Sequence, residues 1–402
     1  MTRIVLHPAR LWSPGDGVRD KLSVLIEDDR IATIAPSGKI DGDAEAIELP
    51  GCTLLPGLMD LHSHLFLHPY NETTWDDQVL KESEAYRTVR AVNHARATLQ
   101  AGFTTLRDLG TEGAGYADVA LKRAIAEGLT SGPRLFVATR AIVATGSYGP
   151  ARRRFRPDCC LPQGGEEASG VDEIVRAVRH QAAHGADWIK VYADYRAGPN
   201  GETVATFSID ELRALVETAH SLARPVSAHA TSDEGMRRSA LAGVDTIEHG
   251  YGGTRATFEL MKEKGIALLP TLMAAKAISR YRGDYVPGGG ASRHMAEAAN
   301  AFRTARDIGV VIGCGSDVGV FAHGENCAEL EAMAKLGMSN EDALTAATAV
   351  NAKIIGRENE LGRLREGFLA DIVAVEGDPL KDLATLRTPR LVIKNGERAT
   401  FD

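Results

Sequence analysis

The sequence predicts an α/β protein in which a (β/α)8 TIM-like barrel carries a small β-sandwich domain formed by both chain ends. Three observations support this prediction. The middle of the chain alternates strand-like apolar runs with helical patterns, and eight such runs occur. The two ends show strand patterns only. The length of 402 residues exceeds the roughly 250 residues of a typical barrel, which leaves room for a second unit.

The β domain is assigned to residues 1–56 and 360–402. Apolar and polar residues alternate in SVLIEDDRIATIA near the start and in ADIVAVEG and PRLVIKNGERAT near the end, as in half-buried antiparallel strands. Each end is short for a core of its own, so we expect the two ends to pair in one sheet system. The intervening residues, 57–359, are assigned to the barrel.

Eight apolar runs are assigned to the barrel strands in chain order: TLLPGLMDLHSH, FTTLRDLG, RLFVATRAIV, WIKVYA, PVSAHAT, TIEHG, ALLPTL and VVIGCGSDVG. Helical spacing of apolar residues marks EAYRTVRAVNHARATLQAG, VDEIVRAVRHQAAHGA and SIDELRALVETAHSLA. Ser208 is a predicted N-cap, and Glu211 three residues later completes a capping box. The unpatterned, glycine-rich segments 146–170 and 281–292 are typical of loops over one barrel face.

Composition narrows the class of protein. With 44% apolar and 25% charged residues the chain is an ordinary globular protein, and its net charge of −8 argues against affinity for nucleic acid or anionic membranes. Five cysteines without a C-x-x-C pair suggest no disulfide framework, and the first residues lack the apolar segment of a signal peptide. We therefore expect a cytoplasmic homo-oligomer that acts on a small molecule, with no nucleic-acid or membrane partner.

Six side chains of metal-ligand type lie at or near the ends of predicted strands: His62, His64, Lys190, His229, His249 and Asp317. Chemistry in a barrel gathers at the carboxyl ends of the strands, so these residues are expected at one site. The spacing of two puts His62 and His64 on one face of a strand. Each residue alone has an ordinary explanation, such as a core histidine, a surface lysine or a helix cap. Their joint placement predicts a hydrolase built around two divalent cations.

Several segments carry a resemblance to a known family. PGLMDLHSH has the pattern PG-hydrophobic-D-x-H-x-H, and GRLREGFLADIVAVEGDPL contains G-x-L-x-x-G-x-x-A-D. Both patterns resemble those of the amidohydrolase superfamily, in its binuclear metal branch. AGFTTLRDLG, ADWIKVYAD, VSAHA, AGVDTIEHG, GSDVGVFAHGEN and EDALTAATAVNAKIIG are most similar to Xaa-Pro dipeptidase-like and imidazolonepropionase-related proteins. The resemblance covers nearly the whole chain.

The resemblance implies two divalent metal ions, with zinc the expected metal. It implies a more buried ion held by His62, His64 and Asp317, and a more exposed ion held by His229 and His249. Lys190 would bridge the two ions as a carbamate formed with CO2, because a lysine ammonium cannot ligate a cation whereas a carbamate can. Asp317 would orient the attacking water and take up its proton.

Three further residues are candidate substrate contacts. Tyr148 stands in TGSYG where the related dipeptidases resemble T-G-G-H-G, and its phenol is a candidate catalytic donor to an oxyanion; packing within the loop is the alternative. Tyr192 follows Lys190 by two residues and is expected on the same inward face, although core packing would also explain it. His323 follows Asp317 in VFAHGEN, and the sequence leaves open whether it supports the site or faces the substrate.

The leading functional hypothesis is a metal-dependent hydrolase that cleaves the amide bond of a dipeptide or an N-acyl amino acid. The alternative is a cyclic-amide hydrolase or deaminase of the imidazolonepropionase type. Its mononuclear relatives use one ion and need no lysine on the fourth strand, so Lys190 favours the binuclear amidase. A non-catalytic interaction protein on the same fold is disfavoured by the complete ligand set.

Overall fold

The computed structural model describes residues 3–40 and 43–399, so residues 1–2, 41–42 and 400–402 of the predicted β domain lie outside the described residues. The strands are β1 (Arg3–Ser13), β2 (Gly17–Asp20), β3 (Leu22–Glu27), β4 (Arg30–Pro36), β5 (Glu45–Pro56), β6 (Leu58–Ser63), β7 (Phe103–Asp108), β8 (Arg134–Val137), β9 (Ile142–Val143), β10 (Glu166–Glu167), β11 (Ile189–Tyr192), β12 (Asp194–Tyr195), β13 (Val204–Ala205), β14 (Val226–Ala230), β15 (Thr246–His249), β16 (Ala267–Leu269), β17 (Ile372–Glu376), β18 (Leu391–Lys394) and β19 (Glu397–Arg398).

The helices follow the strands of the middle region and pack on them. They are α1 (Trp75–Lys81), α2 (Glu84–Gln100), α3 (Ala117–Ala126), α4 (Val171–Ala183), α5 (Ile209–Ser221), α6 (Asp233–Ala242), α7 (Arg255–Lys264), α8 (Leu272–Tyr281), α9 (Arg293–Ile308), α10 (Cys327–Lys335), α11 (Asn340–Thr345) and α12 (Asn351–Ile354). A π-helical turn, Ala346–Val350, joins α11 to α12. Within the described ranges, no helix combines the length and apolar character needed to cross a bilayer.

Strands from the two chain ends share one eight-stranded sheet. Its order is β19-β18-β17-β5-β1-β3-β4, and β2 pairs with β1. The ends are joined directly, because β17 pairs antiparallel with β5. Ile4, Leu54 and Ile372 belong to one apolar cluster of this sheet, and none of the three is more than 4% exposed. The expected pairing of the two chain ends is therefore found. The assignment of the ends to a separate domain remains a prediction.

The middle region has a TIM-barrel-like α/β fold with parallel strands. β6, β7 and β8 pair in that order, and a second run is β10-β9-β11-β14-β15-β16. Asp187 N, just before β11, donates to Val137 O of β8 at 2.8 Å, which links the two runs. On the other side, Leu61 N of β6 donates to Cys314 O at 2.9 Å, and Leu268 N of β16 donates to Val311 O at 2.8 Å. The last predicted strand segment thus lies between β6 and β16.

Two predicted strands are less regular than their sequences suggest. RLFVATRAIV splits into β8 and β9, because Thr139 between them takes a left-handed φ of 57° and its N–H donates to Asp118 at 2.8 Å. VVIGCGSDVG forms isolated bridges only, because side chains replace some of its strand partners. Cys314 N donates to Asn351 Oδ1 at 3.1 Å, and Ser316 N donates to Asp60 Oδ1 at 3.0 Å.

The predicted helices and loops agree with the structure more closely. The capping box is confirmed, since Ser208 Oγ accepts from Glu211 N while the Glu211 carboxylate accepts from Ser208 N. The segment between α8 and α9 is a loop, as predicted. The other predicted loop, 146–170, holds only β10 and a short 3-10 turn, Arg152–Arg154. Both long loops border the carboxyl ends of the parallel strands, where the candidate ligands lie.

Candidate metal centre

The four predicted histidines and Asp317 meet at the carboxyl ends of the parallel strands. Nε2 of His62 and Nε2 of His64 lie 3.5 and 3.3 Å from Asp317 Oδ1. The ring centroid of His249 is 5.0 Å from that of His62 and 4.5 Å from that of His229. Ligand atoms of His62, His249 and Asp317 all lie within 4.8 Å of one another. The structure therefore gathers nitrogen and oxygen donors of the kind that zinc prefers.

Lys190, the sixth member of the set, is buried in the same place. Its side chain is 1% exposed, and its Nζ has no hydrogen-bond partner among the described residues. The Nζ atom lies 5.5 Å from the centre of the Tyr192 ring, which confirms that Lys190 and Tyr192 share an inward face. Burial lowers the pKa of Lys190 to about 8, which raises the fraction of neutral, nucleophilic amine near neutral pH. An unpartnered buried amine is costly in free energy, so this position fits a lysine that is modified or engaged by a ligand.

Backbone conformation aims two of the candidate ligands inward. His249 and Asp317 have left-handed φ angles of 71° and 63°, which non-glycine residues rarely adopt. Glu248 and His249 are neighbours on β15, and regular alternation would turn them to opposite faces. The left-handed turn at His249 brings its ring into the cavity instead, while Glu248 contacts His62. Strain of this kind, about 1–3 kcal/mol per residue, concentrates at functional sites.

Hydrogen bonds fix which ring nitrogen of His62 and of His64 is available. His62 Nδ1 lies 2.7 Å from Glu248 Oε2, and His64 Nδ1 lies 2.9 Å from the carbonyl oxygen of Gly110. A carbonyl oxygen and an ionised carboxylate only accept, so Nδ1 carries the proton in both rings. The Nε2 lone pairs therefore face Asp317 and the centre, as metal-binding histidines held by an outer hydrogen bond do.

The electrostatics of the site are those of a set of donors for divalent cations. Burial lowers the pKa of His62, His229 and His249 well below the usual value, which keeps these imidazoles neutral and able to donate a lone pair. Burial also raises the pKa of Asp317 well above its usual range. A divalent cation beside Asp317 would favour its ionised form, so the residues present fit bound metal.

Glu248 supports the centre and was missed by the sequence analysis. Its Oε1 accepts from Arg107 Nη2 at 2.9 Å and from Ser227 Oγ at 2.8 Å, while its Oε2 holds His62. Arg107 and Glu248 are both fully buried. Glu248 could not be recognised from the sequence, because it is adjacent to His249 and strand alternation predicts that only one of two adjacent residues faces inward.

Glu112 is a second missed residue, and it faces the cavity beside the centre. Its carboxylate accepts from three neutral donors: Tyr148 Oη at 2.5 Å, Tyr192 Oη at 3.1 Å and Trp75 Nε1 at 3.1 Å. The sequence could have indicated Glu112, because this residue follows the second predicted barrel strand and so lies at the same strand ends as the ligands.

The three candidate substrate contacts have different surroundings. Tyr148 and Tyr192 line a cavity of about 1320 Å³ together with the four candidate histidines and Asp317, and their rings are 4.7 Å apart. His323 is absent from the described lining of this cavity. Its Nε2 donates to Leu67 O at 3.0 Å, and its ring stacks on His94 at 4.2 Å. The geometry thus supports a packing role for His323 behind the loop that follows β6 and gives no support to a substrate contact.

The chain belongs to the amidohydrolase family, whose model matches residues 53–399. Ochratoxinase from Aspergillus niger is 30% identical, with 97% of this chain and 85% of the relative covered. A solved Xaa-Pro dipeptidase with methionine bound in its active site is 30% identical with a TM-score of 0.87, and 99% of both chains is covered. A prolidase in complex with N-methylphosphonate-L-proline is 28% identical with a TM-score of 0.85, and again 99% of both chains is covered. The chain is therefore a hydrolase, as the resemblance implied.

Proposed function

We propose that this chain is a binuclear metal-dependent amidase that hydrolyses the amide bond of a small substrate, a dipeptide or an N-acyl amino acid. The observation that carries the proposal is the buried Lys190 amine, which has no partner among the described residues and lies among four histidines and Asp317. Carboxylated by CO2, it would supply the negative charge that two dications require.

The residues have distinct proposed roles. His62, His64 and Asp317 would hold the more buried ion, His229 and His249 the more exposed ion, and Lys190 the bridge. Two ions bound there, with zinc expected, would supply an acidified water and polarise the scissile carbonyl. Asp317 would accept the proton of the attacking water and pass it to the leaving nitrogen. Tyr192 would contact the substrate, and Tyr148 is a further candidate, either as a contact or as the oxyanion donor.

A domain division accompanies this proposal. Residues 57–359 would form the catalytic (β/α)8 barrel, and residues 1–56 with 360–402 would form a β domain that flanks it. Support comes from the sheet shared by the two chain ends and from the parallel pairings on both sides of residues 311–318.

Metal analysis combined with a substrate screen tests the function. Enzyme prepared with zinc and bicarbonate should contain two ions per chain and should hydrolyse members of a dipeptide and N-acyl amino acid library. Lys190→Ala should lose metal and activity, and a short-chain carboxylic acid should partly restore both. Lys335→Ala changes a lysine whose side chain is 73% exposed, and it should behave like the unaltered enzyme. One ion or none in the prepared enzyme would overturn the binuclear assignment.

A further inference from the structure

We propose that Glu112 and the aromatic side chains around it form a cation subsite that binds the free α-ammonium group of a dipeptide substrate. This inference rests on the proposed amidase function and names its substrate class, since an N-acyl amino acid has no such ammonium. The site is built from Glu112, Trp75, Tyr148 and Tyr192, all of which line the central cavity.

The first observation is a buried carboxylate that no cationic side chain of the described residues contacts directly. Glu112 is 2% exposed, and within the described part of the chain no lysine, arginine or histidine nitrogen lies within 4.0 Å of its carboxylate oxygens. Arg87 is close, but its Nη1 donates to the backbone carbonyl of Glu112 at 2.7 Å. A buried carboxylate held only by neutral donors is costly, and a substrate cation would compensate its charge.

The second observation is the direction of the phenol hydrogens. Tyr148 and Tyr192 each donate their single O–H to Glu112. Their oxygens, 3.4 Å apart, therefore keep lone pairs that can accept from an ammonium N–H. Glu112 thus turns two tyrosines into acceptors at the same place where it supplies negative charge.

The third observation is the concentration of aromatic rings. Six of the nine tyrosines of the chain line this one cavity, namely Tyr70, Tyr148, Tyr192, Tyr195, Tyr251 and Tyr281. Trp75 adds a ring 5.1 Å from that of Tyr148. Aromatic faces attract cations through their quadrupoles, and a carboxylate beside them strengthens the preference for positive charge.

The position of Glu112 matches the geometry of a dipeptide. A methyl group placed on Gly110 would lie 3.6 Å from Glu112 Oε1 and 3.9 Å from His64 Cε1, so the carboxylate and this candidate ligand border the same space. In a dipeptide the α-ammonium nitrogen is two bonds from the scissile carbonyl carbon. A group that binds this ammonium must therefore lie beside the metal centre, as Glu112 does.

The test compares alanyl dipeptides with their N-acetylated forms on enzyme loaded with zinc. The unaltered enzyme should prefer the free amine, and Glu112→Gln should lower this preference by about 10- to 100-fold, the range expected for a hydrogen bond to a charged group. The preference is a ratio of two kcat/KM values, so it does not depend on the fraction of active enzyme. Glu297→Gln removes an exposed carboxylate at the rim of the same cavity, where Glu297 pairs with Arg293 at 2.8 Å, and should leave the preference unchanged.

The outcomes separate the subsite from the proposed function. Equal kcat/KM for both forms in the unaltered enzyme, or an equal fall for both in Glu112→Gln, overturns the subsite while the amidase stands. If neither form is hydrolysed, the proposed function fails, and calorimetry with the same two ligands decides the subsite. Tighter binding of the free dipeptide than of its acetylated form, with this difference lost in Glu112→Gln, supports the subsite. Equal binding of the two ligands overturns the subsite. If Glu112→Gln does not fold, Glu112→Asp is the second variant. It withdraws the carboxylate by one methylene, and it should lower the preference for the free amine by less than the change expected for Glu112→Gln.

Discussion

The residue with the clearest expected contribution to chemistry is Asp317. It is the acidic member of the candidate ligand set and faces both His62 and His64. Asp317→Asn keeps the shape but removes the proton acceptor, so we expect kcat to fall by about 10²- to 10⁴-fold. Steady-state kinetics with metal content measured on the same sample provide the check. Asp307→Asn, at an exposed position, is the matched control. Near-normal turnover in a folded, metal-replete Asn variant would assign the base elsewhere.

At the same scale, the structure changes the prediction for Tyr148. A phenol has one hydrogen, and Tyr148 donates it to Glu112 at 2.5 Å. This bond favours a role in substrate binding over the predicted oxyanion donor. Tyr148→Phe should therefore raise KM for dipeptides by about 3- to 10-fold, the effect of losing one hydrogen bond, with little change in kcat.

The control for Tyr148 is Tyr86→Phe, because Tyr86 lies on α2 and is 49% exposed. It should leave both kinetic constants unchanged. The opposite pattern for Tyr148→Phe, a fall in kcat of about 10²-fold or more at constant KM, would restore the oxyanion role.

Among the elements, the irregular segment 311–318 is held beside β6 in part by one side chain. Asn351 Nδ2 donates to Met59 O at 2.9 Å and to Cys314 O at 2.8 Å, and its Oδ1 accepts from Cys314 N at 3.1 Å. This amide replaces some of the strand-to-strand bonds and so helps to hold Asp317 opposite His62 and His64.

Asn351→Ala should therefore lower the free energy of unfolding by at least about 2 kcal/mol, because three buried backbone groups lose a partner. Chemical denaturation measures the change. Asn340→Ala removes one bond, to Leu380 O at 3.0 Å, and should cost about 1 kcal/mol or less. Equal effects of the two substitutions would show that Asn351 does not hold the segment in place.

For the whole molecule, one buried contact between the chain-end sheet and the barrel-like region is an ion pair. Arg134 of β8 donates to both carboxylate oxygens of Asp371 at 2.6 and 3.3 Å, and the side chain of Asp371 is only 4% exposed. Arg134→Met leaves this carboxylate buried and unpaired, so we expect a loss of about 3 kcal/mol in the free energy of unfolding.

The control for this contact is Arg398→Met, which breaks the exposed pair between Arg398 and Glu45 and should cost less than about 1 kcal/mol. Thermal and denaturant unfolding of the two variants provide the comparison. A loss for Arg134→Met no larger than for Arg398→Met would indicate that the two parts are held together by other contacts.

The sequence alone was sufficient for the features that depend on local pattern. Alternating runs and helical spacing predicted the class of fold, the Ser208 capping box predicted where α5 begins, and strand-end positions predicted which residues would come together. Such features are readable because side-chain direction follows from the period of each element, and because carboxyl ends of parallel strands share one edge.

Only the tertiary structure shows which side chains hold the candidate ligands and the cavity tyrosines in place. Glu248 holds His62, and Glu112 holds Tyr148 and Tyr192, through bonds between residues far apart in the chain. The left-handed turn at His249 breaks the alternation on which a sequence-based prediction depends. Contacts of this kind do not produce a periodic pattern in the sequence. They depend on which strand ends meet in space and on which buried polar groups need a partner there.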